Sequence, residues 1–107
     1  MARFLVLWRG NPAAAWPADP SESLELMEKT FAAIDDLIKK GAIEEFGFFP
    51  DGWSGYVIGK GEATDVFTTV SMFGPYILCE VHEIIPYEKG KEISMALGKA
   101  MVEAAKK

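Results

Sequence analysis

Cysteine and histidine, the side chains most often used in metal binding and nucleophilic catalysis, occur once each in this 107-residue chain. With Cys79 alone, no disulfide can form inside the chain, and a lone thiol fits a reducing compartment. His82 and Cys79 are predicted to project to opposite faces of one strand, so they cannot share a metal ion. We therefore predict neither a metal nor a cofactor, and we expect a cytoplasmic protein.

Positive charge and long apolar runs are scarce as well. The chain has 11 Lys and Arg residues against 16 Asp and Glu, a formal net charge of -5. Nucleic-acid binding depends on basic side chains that displace counterions, so we expect no nucleic-acid partner. The first apolar run, residues 4–8, ends at Arg9. It is too short for a signal-peptide core or a membrane span, and we expect no membrane association.

Hydrophobic side chains, by contrast, are abundant for so short a chain. They make up 50% of the residues, with three Trp, three Tyr and seven Phe among them. The length fits a single domain over residues 1–107, and a domain of this size buries only about two-thirds of its unfolded surface. Some apolar surface should therefore face a partner subunit or enclose a pocket.

The hydrophobic pattern predicts four strands and three helices. Alternation predicts strands at residues 3–9, 43–49, 53–60 and 76–85, with a hairpin turn at residues 50–52. Asp19 and Pro20 begin the first helix, whose stripe should bury Phe31 against the sheet, and Gly41 ends it. Residues 62–73 and 87–107 are predicted to form the second and third helices. The third has an apolar face made by Ile93, Leu97, Met101 and Ala104.

This order of elements is the βαββαβ pattern of a ferredoxin-like α+β domain, followed by an extra C-terminal helix. It predicts a four-stranded antiparallel sheet in the order 4-1-3-2 with both crossover helices on one face. The other face would be bare and would carry apolar side chains, namely Leu5, Leu7, Tyr76, Leu78 and Ile84. A second copy of the sheet is the simplest cover, so we predict a homodimer through this face.

Three segments, residues 3–8, 52–59 and 76–86, resemble the first strand, hairpin and final strand of the dimeric α/β-barrel superfamily. The likeness is to small muconolactone-isomerase-like or uncharacterised members. The resemblance implies two ferredoxin-like sheets packed face to face. The superfamily includes isomerases, small monooxygenases, haem-handling enzymes and ligand-binding regulators, so it does not choose a chemistry. No catalytic motif of the family maps onto this chain residue by residue.

The candidate catalytic residues are His82 and Glu80, which share a predicted strand face with Tyr76. Side chains two apart on one strand are separated by about 7 Å. A histidine and a carboxylate in a cavity could move a proton during an isomerisation. The structural alternative is a polar pair at the dimer interface. Arg3 and Arg9, on the corresponding face of the first strand, could bind a carboxylate ligand or form ion pairs with Glu80 or Glu83.

A candidate aromatic pocket is lined by Trp16, Trp53, Tyr56 and the cluster Phe46, Phe48 and Phe49, with Trp16 on a Pro- and Ala-rich loop that could act as a lid. Tyr76 is a further candidate for ligand binding. Core packing is the alternative for most of these aromatics. Three functions remain open. The first is a homodimer that binds a small organic molecule, for instance a carboxylate. The second is a cofactor-free isomerase that uses His82 and Glu80, and the third is an assembly module without a ligand. Whether the protein is an enzyme is left open.

Overall fold

Four strands form one open antiparallel sheet in a computed structural model that describes residues 2–106. The elements are β1 (Ala2–Gly10), α1 (Pro20–Lys39), β2 (Ile43–Phe48), β3 (Ser54–Gly61), α2 (Ala63–Ser71), β4 (Ile77–Ile84) and α3 (Tyr87–Ala105). The sheet order is β2-β3-β1-β4, with every neighbouring pair antiparallel. This is the predicted order read from the opposite edge, and the α+β class is confirmed.

Helix α1 begins and ends where its sequence signals predict. The Asp19 carboxylate accepts a hydrogen bond from the Ser21 amide at 3.1 Å, and Pro20 occupies the first helical position, which needs no amide donor. After Lys40, Gly41 adopts a φ of 79°, a conformation that side-chain-bearing residues rarely accept. The chain can therefore leave the helix and enter β2 within three residues.

The register of the sheet fixes which side chains share a face. Leu5 of β1 lies opposite Ile58 of β3 and His82 of β4, and Leu7 lies opposite Tyr56 and Glu80. These residues belong to what we call the open face. The alternate positions, which we call the helix face, include Phe4, Val6, Trp8, Gly10, Gly55, Val57, Gly59, Gly61, Ile77, Cys79, Val81 and Glu83.

The core on the helix face is small. Among residues 2–106, the buried hydrophobic side chains are Phe4, Val6, Ile34 and Ile43. The prediction that Phe31 is buried is wrong, because its side chain is 42% exposed. Helix α1 makes its main contacts with the sheet at β2, where the Phe31 ring meets the Phe48 ring edge-on. Most of its apolar stripe overhangs the sheet and stays exposed, namely Leu24, Met27, Phe31 and Ile38.

Helix α3 extends away from the rest of the molecule. The longest dimension of the chain is 71 Å against 29 and 25 Å for the other two. The apolar face predicted for this helix is present, but Ile93, Leu97 and Met101 are exposed. Within residues 2–106, no helix is both long enough and apolar enough to cross a membrane.

Candidate functional site

A cleft of about 680 Å³ separates the helix face of the sheet from helices α1 and α2. Its floor includes Phe4, Val6, Trp8, Val57 and Cys79, and its roof includes residues of both helices: Leu26, Met27, Phe31, Ile34, Val66, Val70 and Phe73. Nearly all of these side chains are apolar. The overhang of α1 described above therefore forms a semi-enclosed apolar space in the interior of the fold.

Glycines in β3 explain why the floor of this cleft is deep. The helix-face positions of β3 include Gly55, Val57 and Gly59, so Val57 alone of these three projects a side chain into the cleft. The indole of Trp8 lies against Gly55, where an added Cβ would sit 2.5 Å from its Cζ2 atom. Phe46 stacks on the same indole with ring centroids 5.5 Å apart. The glycines thus make room for a large aromatic ring and for the empty space beside it.

Three aromatic side chains from separate segments meet at one end of the cleft, which we call the aromatic mouth. The Trp16 ring lies 5.2 Å from the ring of Trp53 and 4.9 Å from that of Tyr76, measured between centroids. All three residues line the cleft. Trp53 in turn lies over Gly10, whose missing side chain leaves space for the indole. The prediction that Trp16 packs at a pocket is consistent with this arrangement.

Asn11 positions the loop that carries Trp16, and sequence reasoning missed it. Its side-chain amide donates a hydrogen bond to the Pro75 carbonyl at 2.8 Å, and its side-chain oxygen accepts one from the Ala13 amide at 3.0 Å. Its backbone carbonyl accepts the indole N–H of Trp16 at 2.7 Å. One residue therefore holds two parts of the aromatic mouth. The Asn-Pro pair directly after a strand is a turn signal that could have indicated it.

Asp51 fixes the third member of the mouth. Its carboxylate accepts hydrogen bonds from the Trp53 amide at 2.8 Å and from the Ser54 hydroxyl at 2.9 Å. The bond from the Trp53 amide, with a smaller contribution from Ser54, lowers the pKa of Asp51 below its ordinary value. The hairpin turn is therefore tightened by an ionised carboxylate, and Trp53 follows it directly.

Cys79 and Trp8 contribute polar groups to the sheet side of the cleft, whose lining elsewhere includes Lys29, Lys60 and Asp65. Burial raises the pKa of the Cys79 thiol, so this thiol stays neutral and behaves as a small apolar side chain. Within residues 2–106, the buried Nε1 of Trp8 has no hydrogen-bond acceptor. The wall therefore contains one indole N–H whose hydrogen bond is unmade.

The predicted His82–Glu80 contact is present, on the open face. His82 Nε2 lies 2.6 Å from Glu80 Oε2, and both side chains are more than half exposed. Nearby on the same face, the Tyr56 hydroxyl donates to the Glu45 carboxylate. This bond, reinforced by desolvation, raises the pKa of Tyr56. The open face thus carries two hydrogen-bonded pairs that each contain a carboxylate, beside the apolar side chains of Leu5 and Leu7.

The predicted site residues fall into two groups on opposite faces of the sheet. Arg3, Arg9, His82 and Glu80 occupy the open face, whereas Trp16, Trp53 and Tyr76 surround the cleft. Tyr76 was predicted to share a face with Glu80 and His82, and this is wrong. Because β4 begins at Ile77, residue 76 lies before the strand pleat and its ring turns toward Trp16.

The arginines were predicted to bind a ligand carboxylate or to pair with Glu80 or Glu83. Arg3 instead donates to Glu44 of β2, with its Nη2 atom 2.9 Å from Oε2. An irregularity in the β2–β3 register between Ile43 and Glu45 accompanies this pair. Arg9 is exposed and lies opposite Leu78 and Ser54. Neither arginine lines the cleft.

Within residues 2–106, no group of three or more His, Cys, Asp and Glu side chains is arranged to hold a metal ion. Compared with models of known protein families and with curated proteins, the sequence matches none of either.

Proposed function

We propose that the protein is a homodimeric binding protein for a small, flat and mostly apolar organic molecule, held in the cleft between the sheet and helices α1 and α2. The observation that carries this proposal is the cleft itself, about 680 Å³ in volume and lined at one end by the three rings of the aromatic mouth. Small-molecule sites commonly have volumes of about 300–1,000 Å³, apolar walls and a few polar groups.

The wall chemistry favours a neutral ligand over a carboxylate. Arg3 and Arg9 lie on the open face. The cleft has two lysines, Lys29 and Lys60, whose side chains are exposed to solvent, and Lys29 is paired with Glu25 at 3.3 Å. A carboxylate in the apolar interior would lose hydration without gaining a cation.

The open face supports the homodimer. Leu5, Leu7, Tyr56 and Ile58 form a half-exposed apolar band on this face, and Leu78 and Ile84 extend it along β4. Contiguous apolar patches of this kind mark interaction sites on soluble domains. Pairing two open faces would cover the band and leave each cleft on the outer side of its own sheet.

The ligand proposal is tested with Nile red, a neutral apolar dye, and a cleft-filling variant. Ala33 lines the cleft and the adjacent Ala32 is exposed, so Ala33→Phe and Ala32→Phe add the same ring inside and outside it. Ala33→Phe should weaken dye binding at least tenfold, while Ala32→Phe should bind as the wild type does. Bound dye should also slow the reaction of Cys79 with a thiol reagent. Equal binding by both variants, without protection of Cys79, would place the dye elsewhere and overturn the proposal.

The dimer is tested with two Asp substitutions on β4. Leu78 and Val81 have similar exposure, 37% and 39%, but lie on opposite faces of the strand. Leu78→Asp should shift the protein to monomers in sedimentation at micromolar concentration, because it buries a charge between the sheets. Val81→Asp should stay dimeric. A monomeric wild type would refute the dimer. A stable dimer that binds no dye and copurifies with no small molecule would instead favour an assembly module.

The 2.6 Å contact between His82 and Glu80 supports a second candidate, cofactor-free proton transfer. In a face-to-face dimer this pair would lie between the two sheets, where a desolvated histidine and carboxylate could exchange a proton with a substrate carbon. The test is exchange of the α-protons of a cyclic enone for deuterium, followed by NMR. His82→Ala should abolish any exchange above the buffer rate, and equal rates in both proteins would remove this candidate.

A further inference from the structure

Helix α3 has almost no packing partner within its own chain. Apart from Gly90, every residue from Tyr87 to Lys106 is exposed. The Cα radius of gyration is 19.2 Å, whereas a compact chain of this length has about 13 Å. The helix is 19 residues long, which corresponds to about 28 Å.

The surface of α3 is built for contact with another apolar surface. Ile93, Leu97 and Met101 follow one another at four-residue spacing and are 46%, 60% and 72% exposed. Met95 and Val102, on the other side of the helix, are also exposed. An apolar stripe on a helix of a globular protein ordinarily faces another apolar surface, with the charged residues on the opposite side. Most of the stability of a helix in a protein comes from the packing of its apolar face rather than from intrinsic propensity, so α3 needs a packing partner.

The exposed area matches what a dimer would bury. A folded monomer of 11.8 kDa ordinarily exposes about 5,900 Å², whereas this chain exposes 7917 Å². The excess is about 2,000 Å² per chain, or about 4,000 Å² for two chains. Obligate homodimers bury about 2,000–5,000 Å² in total, so one second copy accounts for the excess.

The charge of α3 favours a protein surface over a lipid surface. The helix carries three Glu and three Lys residues, so its charges balance, within a chain of net charge -5. Helices that lie on anionic membranes are instead rich in Lys and Arg. The same chain also exposes the apolar band of its open face, and a two-fold pair can cover both surfaces at once.

We infer that α3 is an exchanged arm, which crosses to a second copy of the chain and packs the stripe formed by Ile93, Leu97 and Met101 against the body of that copy. This inference rests on the homodimer proposed above and goes beyond it by assigning α3 to the interface. Each subunit then holds the other at two places, the sheet face and the arm.

The first test compares two Asp substitutions in the middle of α3. Leu97→Asp places a charge in the stripe, and Lys99→Asp places the same side chain on the charged side of the helix. In sedimentation between 1 and 100 μM, Leu97→Asp should raise the dimer dissociation constant at least tenfold, and Lys99→Asp should change it less than twofold. A wild-type dimer that Leu97→Asp leaves unchanged would overturn the arm alone, whereas a monomeric wild type would overturn the dimer as well.

The second test asks to which chain the arm packs, and it holds even where Leu97→Asp does not fold. A nitroxide is attached at Lys99→Cys in a Cys79→Ser background, and this chain is mixed by co-refolding with an unlabelled ¹⁵N chain. If α3 crosses, the nitroxide should broaden the body amides of the partner chain, which carries ¹⁵N in this sample, more than those of its own chain. Broadening within its own chain is measured in a second sample, in which the nitroxide-bearing chain carries ¹⁵N. Stronger broadening within the labelled chain would show that α3 folds back and would overturn the inference.

Discussion

Replacing Asn11 with Asp tests whether one loop residue holds the aromatic mouth together. The side-chain amide of Asn11 donates a hydrogen bond to the Pro75 carbonyl at 2.8 Å. An ionised Asp has no donor and would place a carboxylate oxygen against that carbonyl oxygen. A lost hydrogen bond costs about 1 kcal/mol, and we assign a similar cost to the facing oxygens. Asn11→Asp should therefore lower the free energy of unfolding by about 2 kcal/mol at pH 7, measured by urea titration.

The pH dependence separates this explanation from a general loss of structure. Below about pH 4 a protonated Asp regains a donor and can bond to Pro75, so the penalty of Asn11→Asp should shrink. Asn11→Ala has no donor at any pH, so its penalty should not shrink in the same way. Near-UV circular dichroism should lose part of its intensity at pH 7 as the Pro75 segment shifts, while the backbone bonds of residue 11 to the Trp16 indole and the Tyr76 carbonyl remain. A change under about 0.5 kcal/mol with an unaltered spectrum would refute the assigned role.

Two further predictions concern the strands and the turn. An added Cβ at Gly55 would meet the Gly47 carbonyl and the Trp8 ring, so Gly55→Ala should cost about 3 kcal/mol in urea titration. Gly59→Ala, whose nearest contact is 3.2 Å away, should cost about 1 kcal/mol, and equal losses would contradict the clash. Because the pKa of Asp51 is lowered on folding, its stabilisation is present above the ordinary Asp pKa and is lost as pH falls through the folded pKa. The gap in urea midpoint between wild type and Asp51→Ala should therefore be wider at pH 7 than at pH 3, and an equal gap would contradict this.

The sequence predicted the sheet well because alternation and turn residues are local signals. The pattern placed Leu5 and His82 on one face, and the observed register pairs these two residues directly. Tyr76 was assigned to the wrong face because alternation holds only inside a strand, and β4 begins one residue later. An error of one residue at a strand end was enough to put an aromatic of the mouth on the opposite side of the sheet.

Hydrophobic periodicity was less informative about burial. The stripe of α1 was recognised, but only Ile34 of that helix is buried while Phe31 borders the cleft. Periodicity identifies side chains that need an apolar neighbour, yet it does not say whether the neighbour is the same chain, a second copy or a ligand. The stripe of α3, which contains Leu97, is more exposed still, and its periodicity equally does not say which surface covers it.

The cleft itself could have been recognised from the glycines of β3. Gly55, Gly59 and Gly61 stand at alternate positions of one strand, so all three fall on one face, with Val57 between them. Glycine weakens a strand interior, and it is kept where a ring or another group approaches the backbone closely. Trp8 occupies the space above Gly55. Three glycines on one strand face therefore predict either rings or empty volume above that face, and here the fold contains both.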